Sequence, residues 1–349
     1  MDVHGKKIFV GLSGGVDSAV SAALLVRAGA KVTGVFIKGW YPPGMPCTWA
    51  EERRDAMRVA ARLQIPFFTL DASTEYKKSV IDYLLAEYRT GRTPNPDIMC
   101  NRDVKFGAFY RFAKAHGVDH IATGHYRSGE KDQSYFLSAV PKEILAATVF
   151  PVGNREKGEV RALAKRFNLP VAEKKDSQGV CFLGSVSVEE FLKSEFGVHP
   201  GRALDEQGNV IGQHDGVILS TLGQRIALRE AGKAGPWFVL AKDIVKNELT
   251  VGKSRLPRAE NTSKEISFRN ANWFAEPVGT VEAQYRYRGP RIKGCIESMR
   301  RSDLHNCEGQ TFSSYCFVSG EPLPELSTPG QSIVFYHDGE LIGGGIIDS

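Results

Sequence analysis

The first half of the chain alternates short apolar runs with amphipathic stretches. The apolar run 8–10 predicts a buried strand, and Val16, Val20 and Leu24 then fall on one face of a helix that stops before Gly29. The same alternation continues to about residue 196. It predicts strands at 31–38, 67–70 and 120–125, and helices at 50–63, 73–91, 102–116, 155–168 and 189–196. This pattern is typical of an α/β fold with a doubly wound parallel sheet, in which ligands bind at the carboxyl ends of the strands.

Several boundaries of these elements follow from polar residues and prolines. Ser73 or Thr74 is predicted to cap the helix that runs towards Gly91. Two prolines within the segment 92–100 predict a loop there, and Asn101 is predicted to cap the helix that follows. Cys100 is therefore expected just before a helix N-terminus.

The second half of the chain has a different pattern, with short strands separated by glycine turns. This pattern begins after residues 199–201. From residue 261 onwards, short segments of alternating apolar and polar residues, separated by Gly and Pro, predict a small β-barrel. A chain of 349 residues is also longer than a domain with a single compact core. We therefore predict a catalytic domain at 1–197, a small central domain at 198–260 and a C-terminal β-barrel at 261–349.

Composition and charge narrow the class of protein. The hydrophobic content of 42% and the charged content of 24% are ordinary for globular proteins. No apolar run could span a bilayer, and the N-terminus enters the first strand directly. We therefore predict a cytoplasmic protein that has no membrane span and no secretory signal. Residues 261–349 carry 8 Lys and Arg against 11 Asp and Glu, so the net charge of +5 is concentrated in residues 1–260. A polyanion would dock there, although a solvated basic surface has the same signature.

The turn at 11–18, Gly-Leu-Ser-Gly-Gly-Val-Asp-Ser, is the strongest chemical motif. A strand, a small-residue turn and a helix direct backbone amides and a helix N-terminus at one point, which attracts phosphate. No Lys-Ser or Lys-Thr pair closes the turn, so it is not a Walker loop. The Asp17 carboxylate would repel phosphate, and we therefore expect Mg²⁺ beside it. An ordinary tight turn of an α/β sheet is the alternative.

Two of the six cysteines are chemically informative. The six are scattered without a Cys-x-x-Cys pair, which argues against a structural zinc site or a disulfide scaffold. A helix N-terminus after Cys100 and two lysines before Cys181 would each favour a thiolate. Asp97 could serve as an acid or a base near Cys100. The alternatives are buried inert thiols and a helix-capping carboxylate.

A series of motifs in order along the chain carries a resemblance to a known family. The turn 13–18 resembles the pyrophosphate loop of ATP pyrophosphatases, which adenylate a substrate and release pyrophosphate. Together with 91–97, Cys100, 122–126, 131–137, 150–153, 175–182 and 328–332, it resembles the tRNA-specific 2-thiouridylases over nearly the whole chain. That family replaces the C2 oxygen of the anticodon wobble uridine with sulfur.

The resemblance implies a set of roles for individual residues. It implies ATP binding by Gly11, Leu12, Ser13, Gly14, Gly15, Val16, Asp17, Ser18, Ile37 and Gly124. It implies that Cys100 is the nucleophile, and that Cys181 carries a persulfide and can form a transient disulfide with Cys100. It also implies that Asn95, Pro96 and Asp97 contact the target base and that His125, Lys131, Asp132, Gln133, Arg286, Tyr287 and Gln331 contact tRNA. The implied cofactors are ATP and Mg²⁺, and the implied partners are the tRNA anticodon loop and an upstream persulfide donor.

Two other functions stay open from the residues alone. Another adenylating enzyme of the same fold, such as an ammonia-dependent synthetase or amidotransferase, would explain 11–18 but would not need two cleft cysteines. A non-catalytic RNA-binding protein would not need Asp17, Asp97, Cys100 and Cys181 together. The sequence also leaves open an iron–sulfur cluster on Cys100 and Cys181, which we favour less than persulfide transfer.

Overall fold

The structure is a computed structural model that describes residues 2–44, 48–175, 186–230, 235–255, 263–298 and 314–348. The chain divides into two compact units. The first comprises Met1–Asp82 and Pro96–Ser187, and the second comprises Tyr83–Asn95 and Val188–Ser349. Residues 83–95 therefore belong to the same unit as the C-terminal half, although they lie within the first half of the sequence.

A five-stranded parallel sheet forms the centre of the first unit. Its strands are β1 (Lys7–Gly11), β2 (Lys31–Lys38), β3 (Phe67–Asp71), β4 (His120–Ala122) and β5 (Thr148–Val149), in the order β3-β2-β1-β4-β5. Ile8 and Val10 of the central strand are fully buried, because helices cover both faces of a sheet of this kind. The predicted doubly wound α/β fold is confirmed.

The helices that follow these strands agree with the predicted pattern in place and order. They are α1 (Val16–Arg27), α2 (Trp49–Leu63), α3 (Ser73–Tyr76), α4 (Asp82–Arg89), α5 (Pro96–Cys100), α6 (Phe109–Ala115), α7 (Lys142–Ala146) and α8 (Lys157–Arg166). Two π-helical segments, Lys77–Ile81 and Asn101–Ala108, continue α3 and α5 without a break, and Ser134–Leu137 forms a 3₁₀ turn.

The predicted loop over 92–100 is wrong in its second half. Pro96 begins helix α5, because the first position of a helix needs no amide donor and suits the fixed φ of proline. Asn101 does not cap a helix, since it lies inside the run from α5 into the π-helical segment. Cys100 is therefore the last residue of α5, and it does not precede a helix N-terminus.

Two further boundaries differ from the prediction. The residue before α3 is Ala72, so neither Ser73 nor Thr74 is the cap, and the Asp71 carboxylate instead accepts hydrogen bonds from the Ser73 amide and hydroxyl. Strand β4 ends at Ala122 and not at His125. It ends early because its partner β5 pairs with it only at Ile121 and Ala122.

The second unit is mainly β-structure, and it also contains α9 (Val188–Phe196) and most of α4. A mixed sheet in the order β7-β6-β10-β9-β8 is built from β6 (Gly201–Leu204), β7 (Val210–His214), β8 (Arg225–Ile226), β9 (Trp237–Asp243) and β10 (Glu248–Gly252). The remaining strands close into the predicted barrel, in the order β11-β14-β13-β12-β15-β16. They are β11 (Glu265–Trp273), β12 (Val281–Gln284), β13 (Ile292–Ser298), β14 (Tyr315–Ser319), β15 (Ser332–His337) and β16 (Glu340–Ile347).

Among the residues that the structure describes, no helix has the length and apolar character needed to cross a membrane.

Candidate active site

The turn after β1 is held in shape by its own two serines. The Ser13 amide donates to Ser18 Oγ at 3.2 Å, and the two hydroxyl oxygens lie 3.2 Å apart. The Gly15 amide donates to Ser13 Oγ at 3.3 Å, and Ser18 Oγ donates to the Gly15 carbonyl at 3.1 Å. No side chain caps α1 at Gly15, so the amides of its first turn remain suited to an anionic ligand.

Two glycines allow the backbone to approach this turn closely. Gly14 has φ +75°, and a Cβ there would lie 2.4 Å from the carbonyl oxygen of Glu52. Gly124 follows β4, and a Cβ there would lie 2.8 Å from the amide nitrogen of Ser18. Any larger residue at either position would displace the start of α1 or the segment packed on it.

The carboxylate of Asp17 is already paired with a lysine in the first unit. Lys157 Nζ lies 2.8 and 2.9 Å from the two carboxylate oxygens, and the Tyr126 hydroxyl donates to Oδ1 at 2.7 Å. Lys157 is the first residue of α8, so the N-termini of α1 and α8 both contribute to this contact. Lys157 is not among the site residues predicted from the sequence; the available signal was a lysine beginning a helix shortly after the motif at 150–153.

Among the described residues, protein side chains alone form no Mg²⁺ site at Asp17, and Mg²⁺ beside it stays a prediction. Both oxygens of Asp17 are engaged by Lys157 and Tyr126, and within the described residues no group of three His, Cys, Asp or Glu side chains could hold a metal ion. The positive charge beside Asp17 comes from a side chain of the protein itself.

A cavity of about 260 Å³ brings the turn together with the first candidate cysteine. The predicted site residues that line it are Gly11, Leu12, Ser13, Asp17, Ser18, Ile37, Cys100, Gly124, His125 and Gln133. Its lining also includes residues that were not predicted from the sequence, among them Trp40, Tyr41, Glu52, Lys105 and Thr123. The turns after β1, β2 and β4 meet at this cavity, as expected for the carboxyl ends of parallel strands.

Cys100 is positioned by the helix that ends with it. Its side chain is 4% exposed, and its neighbours Ile98 and Met99 are buried as well, which anchors α5 in the core of the first unit. Asp97 lies in the first turn of α5, where a carboxylate is favoured by the helix dipole. It is half-buried, three residues before the thiol.

Among the groups that line the cavity, His125 and Glu52 have shifted pKa values, and burial is the largest cause of both shifts. Burial, assisted by the positive charge of Lys105, lowers the pKa of His125 to about 3, so its imidazole is neutral at physiological pH. Its Nδ1 lies 3.0 Å from Thr123 Oγ1, and its ring packs 5.3 Å from that of Phe106. Burial also raises the pKa of Glu52, against a hydrogen bond from Thr48 that lowers it. A neutral imidazole suits hydrogen bonding or stacking and contributes no charge to phosphate binding.

The other predicted RNA contacts of the first unit differ in exposure. Lys131 is exposed at the surface. Asp132 is half-buried, and its carboxylate accepts a hydrogen bond from the Ser134 amide at 2.8 Å. The Gln133 side chain accepts a hydrogen bond from the Tyr126 amide at 3.1 Å, so it fixes the wall of the cavity. Pro96 begins α5.

In the second unit, two predicted RNA contacts are engaged by the protein itself. Arg286 donates to the carbonyls of Leu222 and Leu326, and its Nε lies 3.1 Å from Glu325 Oε2. Gln331 Nε2 donates to the carbonyl of Thr93 at 2.7 Å, close to Asn95 in sequence. Tyr287 is exposed.

Of the remaining cysteines, the structure describes two. Cys295 and Cys316 lie on strands β13 and β14 of the barrel. Cys47, Cys181 and Cys307 lie outside the described residues, so the expected pairing of Cys100 with Cys181 stays a prediction.

Comparisons with known proteins find matches along the chain. Three family models match: a tRNA methyl transferase HUP domain at residues 6–185, a tRNA methyl transferase PRC-barrel domain at 189–253, and an aminomethyltransferase beta-barrel domain at 327–347. Among solved structures, NMN synthetase from Francisella tularensis is 19% identical with a TM-score of 0.37, covering 56% of this chain and 74% of that chain.

Curated relatives extend over nearly the whole chain. The tRNA-specific 2-thiouridylase MnmA of Pseudomonas fluorescens is 41% identical, covering 99% of this chain and 96% of its own length. The enzyme of the same name from Streptococcus sanguinis is 39% identical over 98% of this chain and 95% of its own length. With these relatives and with the turn and Cys100 lining one cavity, the chain belongs to the family of tRNA-specific 2-thiouridylases.

Proposed function

We propose that this protein catalyses the ATP-dependent 2-thiolation of the wobble uridine, position 34, of tRNA. The observation that carries the proposal is that Cys100 lines the same cavity as the 11–18 turn, so a thiol and a phosphate-binding loop face one space. An adenylating enzyme that uses ammonia would have no need of the thiol.

The first step is activation of the base. The C2 oxygen of uridine is a poor leaving group; its attack on the α-phosphorus of ATP forms a C2–O–AMP ester and releases pyrophosphate. The amides of the first turn of α1, together with Ser13 and Ser18, would hold the departing pyrophosphate. Lys157 would supply positive charge there, and Asp17 would orient it.

The second step is sulfur transfer from Cys181 with the help of Cys100. The terminal sulfur of a Cys181 persulfide bonds to C2, and the C2–O bond breaks as AMP leaves. The Cys100 thiolate then attacks Sγ of Cys181, which releases the sulfur on the base and forms a Cys100–Cys181 disulfide. An external dithiol must reduce that disulfide before the next turnover. Asp97, near Cys100 in the same helix, would accept the thiol proton.

The substrate and the partners follow from this chemistry. The uridine must leave its stack to enter the cavity, so an anticodon loop suits the site better than a duplex. Asn95, Pro96 and Asp97 would contact the base, and His125, Lys131 and Gln133 would contact the surrounding nucleotides. A persulfide donor would load Cys181, and we place the reaction in the cytoplasm. We retain 1–197, 198–260 and 261–349 as the functional domains.

Sulfur labelling separates the two cysteines. A Cys181→Ser variant should accept no ³⁵S from a persulfide donor, because a hydroxyl cannot hold sulfane sulfur. A Cys100→Ser variant should load ³⁵S but should not thiolate tRNA, because no thiolate remains to release the sulfur. Both variants should still release pyrophosphate from ATP in the presence of tRNA, because adenylation of the base precedes sulfur transfer.

The matched control is Cys295→Ser, an exposed cysteine of the barrel, which should load and transfer label like the wild type. Loading of Cys100 in the Cys181→Ser variant, with normal turnover, would reverse the roles. Stoichiometric iron and labile sulfide after anaerobic purification would replace the persulfide route with a cluster.

A further inference from the structure

A second cavity, of about 480 Å³, lies within the second unit and takes no part in the site described above. Its lining combines an apolar floor with a basic rim. The floor includes Tyr88, Leu192 and Leu219, and the rim includes Arg225, Arg255 and Arg286. We refer to it as the arginine cleft.

Phe238 organises two of these arginines on one face of the sheet. Arg225 of β8 lies directly opposite Phe238 of β9 in an antiparallel pair, which places their side chains on the same face. The Arg255 guanidinium lies 5.6 Å from the centroid of the Phe238 ring. A guanidinium stacked on an aromatic ring is held in place while its N–H groups remain able to donate.

The charges of these two arginines are not balanced within the described part of the chain. Arg225 and Arg255 are both exposed, and no carboxylate among the described residues lies within ion-pair distance of either. Glu189 also lines the cleft, but its carboxylate is held by Lys193 Nζ at 2.6 Å.

Arg286 differs from the other two because its Nη2 already donates within the protein and its Nε faces a carboxylate. Its contacts to Leu222, Leu326 and Glu325 fix the edge of the cleft. The groups able to take a new anion are therefore Arg225 and Arg255.

We propose that the arginine cleft binds the phosphodiester backbone of the tRNA substrate, with Arg225 and Arg255 each contacting a phosphate. The inference rests on the proposed function, which supplies the RNA. The planar fork of a guanidinium matches phosphate oxygens, and an apolar floor beside it suits the face of a ribose or a base. Two arginines beside one ring fit successive phosphates of a chain better than a single free phosphate.

The test measures tRNA affinity against salt concentration for Arg225→Ala, Arg255→Ala and the double variant. Removal of one phosphate-binding guanidinium should reduce the magnitude of the slope of log K against log salt by about 0.7 to 0.9, and the double variant should show about twice that reduction. The control is Arg229→Ala, which removes the same charge near the same sheet but from a guanidinium paired with Asp215 at 2.7 Å. Its slope should match that of the wild type.

The outcomes distinguish this proposal from the proposed function. A reduced slope in the cleft variants and not in Arg229→Ala supports the cleft. Unchanged slopes, in a protein whose wild type binds and thiolates tRNA, would overturn the cleft and leave the function standing. Wild-type protein without tRNA binding would overturn both. Loss of one of two pyrophosphate sites in the cleft variants, while their tRNA slopes stay unchanged, would assign the cleft to a free anion and overturn its assignment to RNA.

Discussion

At the scale of the residue, the pairing of Asp17 with Lys157 changes the meaning of the phosphate motif. The sequence indicates a carboxylate in need of a cation, and the structure supplies that cation from α8. The Lys157 side chain is 17% exposed in this contact, so its charge acts with little screening by solvent. On the proposed function, Asp17 therefore positions a lysine where an incoming polyphosphate would bind.

Replacement of Lys157 by Met should weaken ATP binding by about 10- to 100-fold, because the phosphate then lacks one charge-assisted hydrogen bond. Isothermal titration calorimetry would measure the dissociation constant. Lys165→Met is the control, since Lys165 lies on the same helix but is 61% exposed and paired with Glu173. It should bind ATP normally.

A double variant separates phosphate binding from simple neutralisation of Asp17. If Lys157 only balances the carboxylate, Asp17→Asn with Lys157→Met should recover wild-type affinity for ATP. We expect no recovery, because the lysine that would bind phosphate is absent from both variants. Full recovery would remove Lys157 from the nucleotide site.

At the scale of the element, the helix that carries Cys100 depends on one wide turn. The π-helical segment Asn101–Ala108 follows Cys100 directly, and segments of this kind are often found at functional sites. A Cβ at Gly107 would lie 2.7 Å from the carbonyl oxygen of Arg102, five residues earlier. The glycine therefore permits the wide turn, which sets the rotation of Cys100 relative to α6.

The Gly107→Ala substitution should destabilise this helix by about 1–3 kcal/mol, since the new methyl group collides with backbone. Hydrogen exchange measured by mass spectrometry over 101–115 would show the destabilisation locally. Gly158→Ala in α8 is the matched control, because a Cβ there meets nothing within 4 Å. It should be neutral or stabilising by up to about 1 kcal/mol. Equal protection in wild type and Gly107→Ala would refute the wide-turn role.

The agreement between sequence and structure also differs from one element to another. Strand β2 and helix α2 are predicted within one residue, because their apolar patterns and the stop before Pro66 are local signals. The start of α5 is not, because a proline that breaks a helix in its interior is accepted at its first position. Lys157 could not be predicted as the partner of Asp17, since 140 positions separate them and only the fold brings them together.

At the scale of the whole molecule, the motif 91–97 is divided between the two units. Its first part, up to Asn95, belongs to the second unit, and Pro96 begins the part of the first unit that carries Asp97 and Cys100. Inside the second unit the first part is tied to the end of the barrel. The Thr93 amide donates to the Pro329 carbonyl at 2.8 Å, and Gln331 donates back to the Thr93 carbonyl at 2.7 Å.

An ion network strengthens the same junction. Arg92 Nε lies 2.7 Å from Glu87, while its Nη2 donates to the Ile347 carbonyl at 2.7 Å and lies 3.3 Å from Asp348. Arg269 adds a contact of 3.0 Å to Asp348. Arg92 is 17% exposed, and only a guanidinium can reach a carboxylate and a carbonyl on different sides at once.

Replacement of Arg92 by Lys should therefore loosen the junction although it keeps the charge. We expect protection against hydrogen exchange over 84–92 and 340–348 to fall by about 2 kcal/mol, the scale of a partly buried charged hydrogen bond. Arg202→Lys is the control, because Arg202 also pairs with a glutamate, Glu248, but is 65% exposed. It should change protection little, since exposed ion pairs contribute about 0–1 kcal/mol. A fall in protection confined to 84–92, with 340–348 unchanged, would show that Arg92 serves only its own helix and does not hold the barrel to the segment that leads to Cys100.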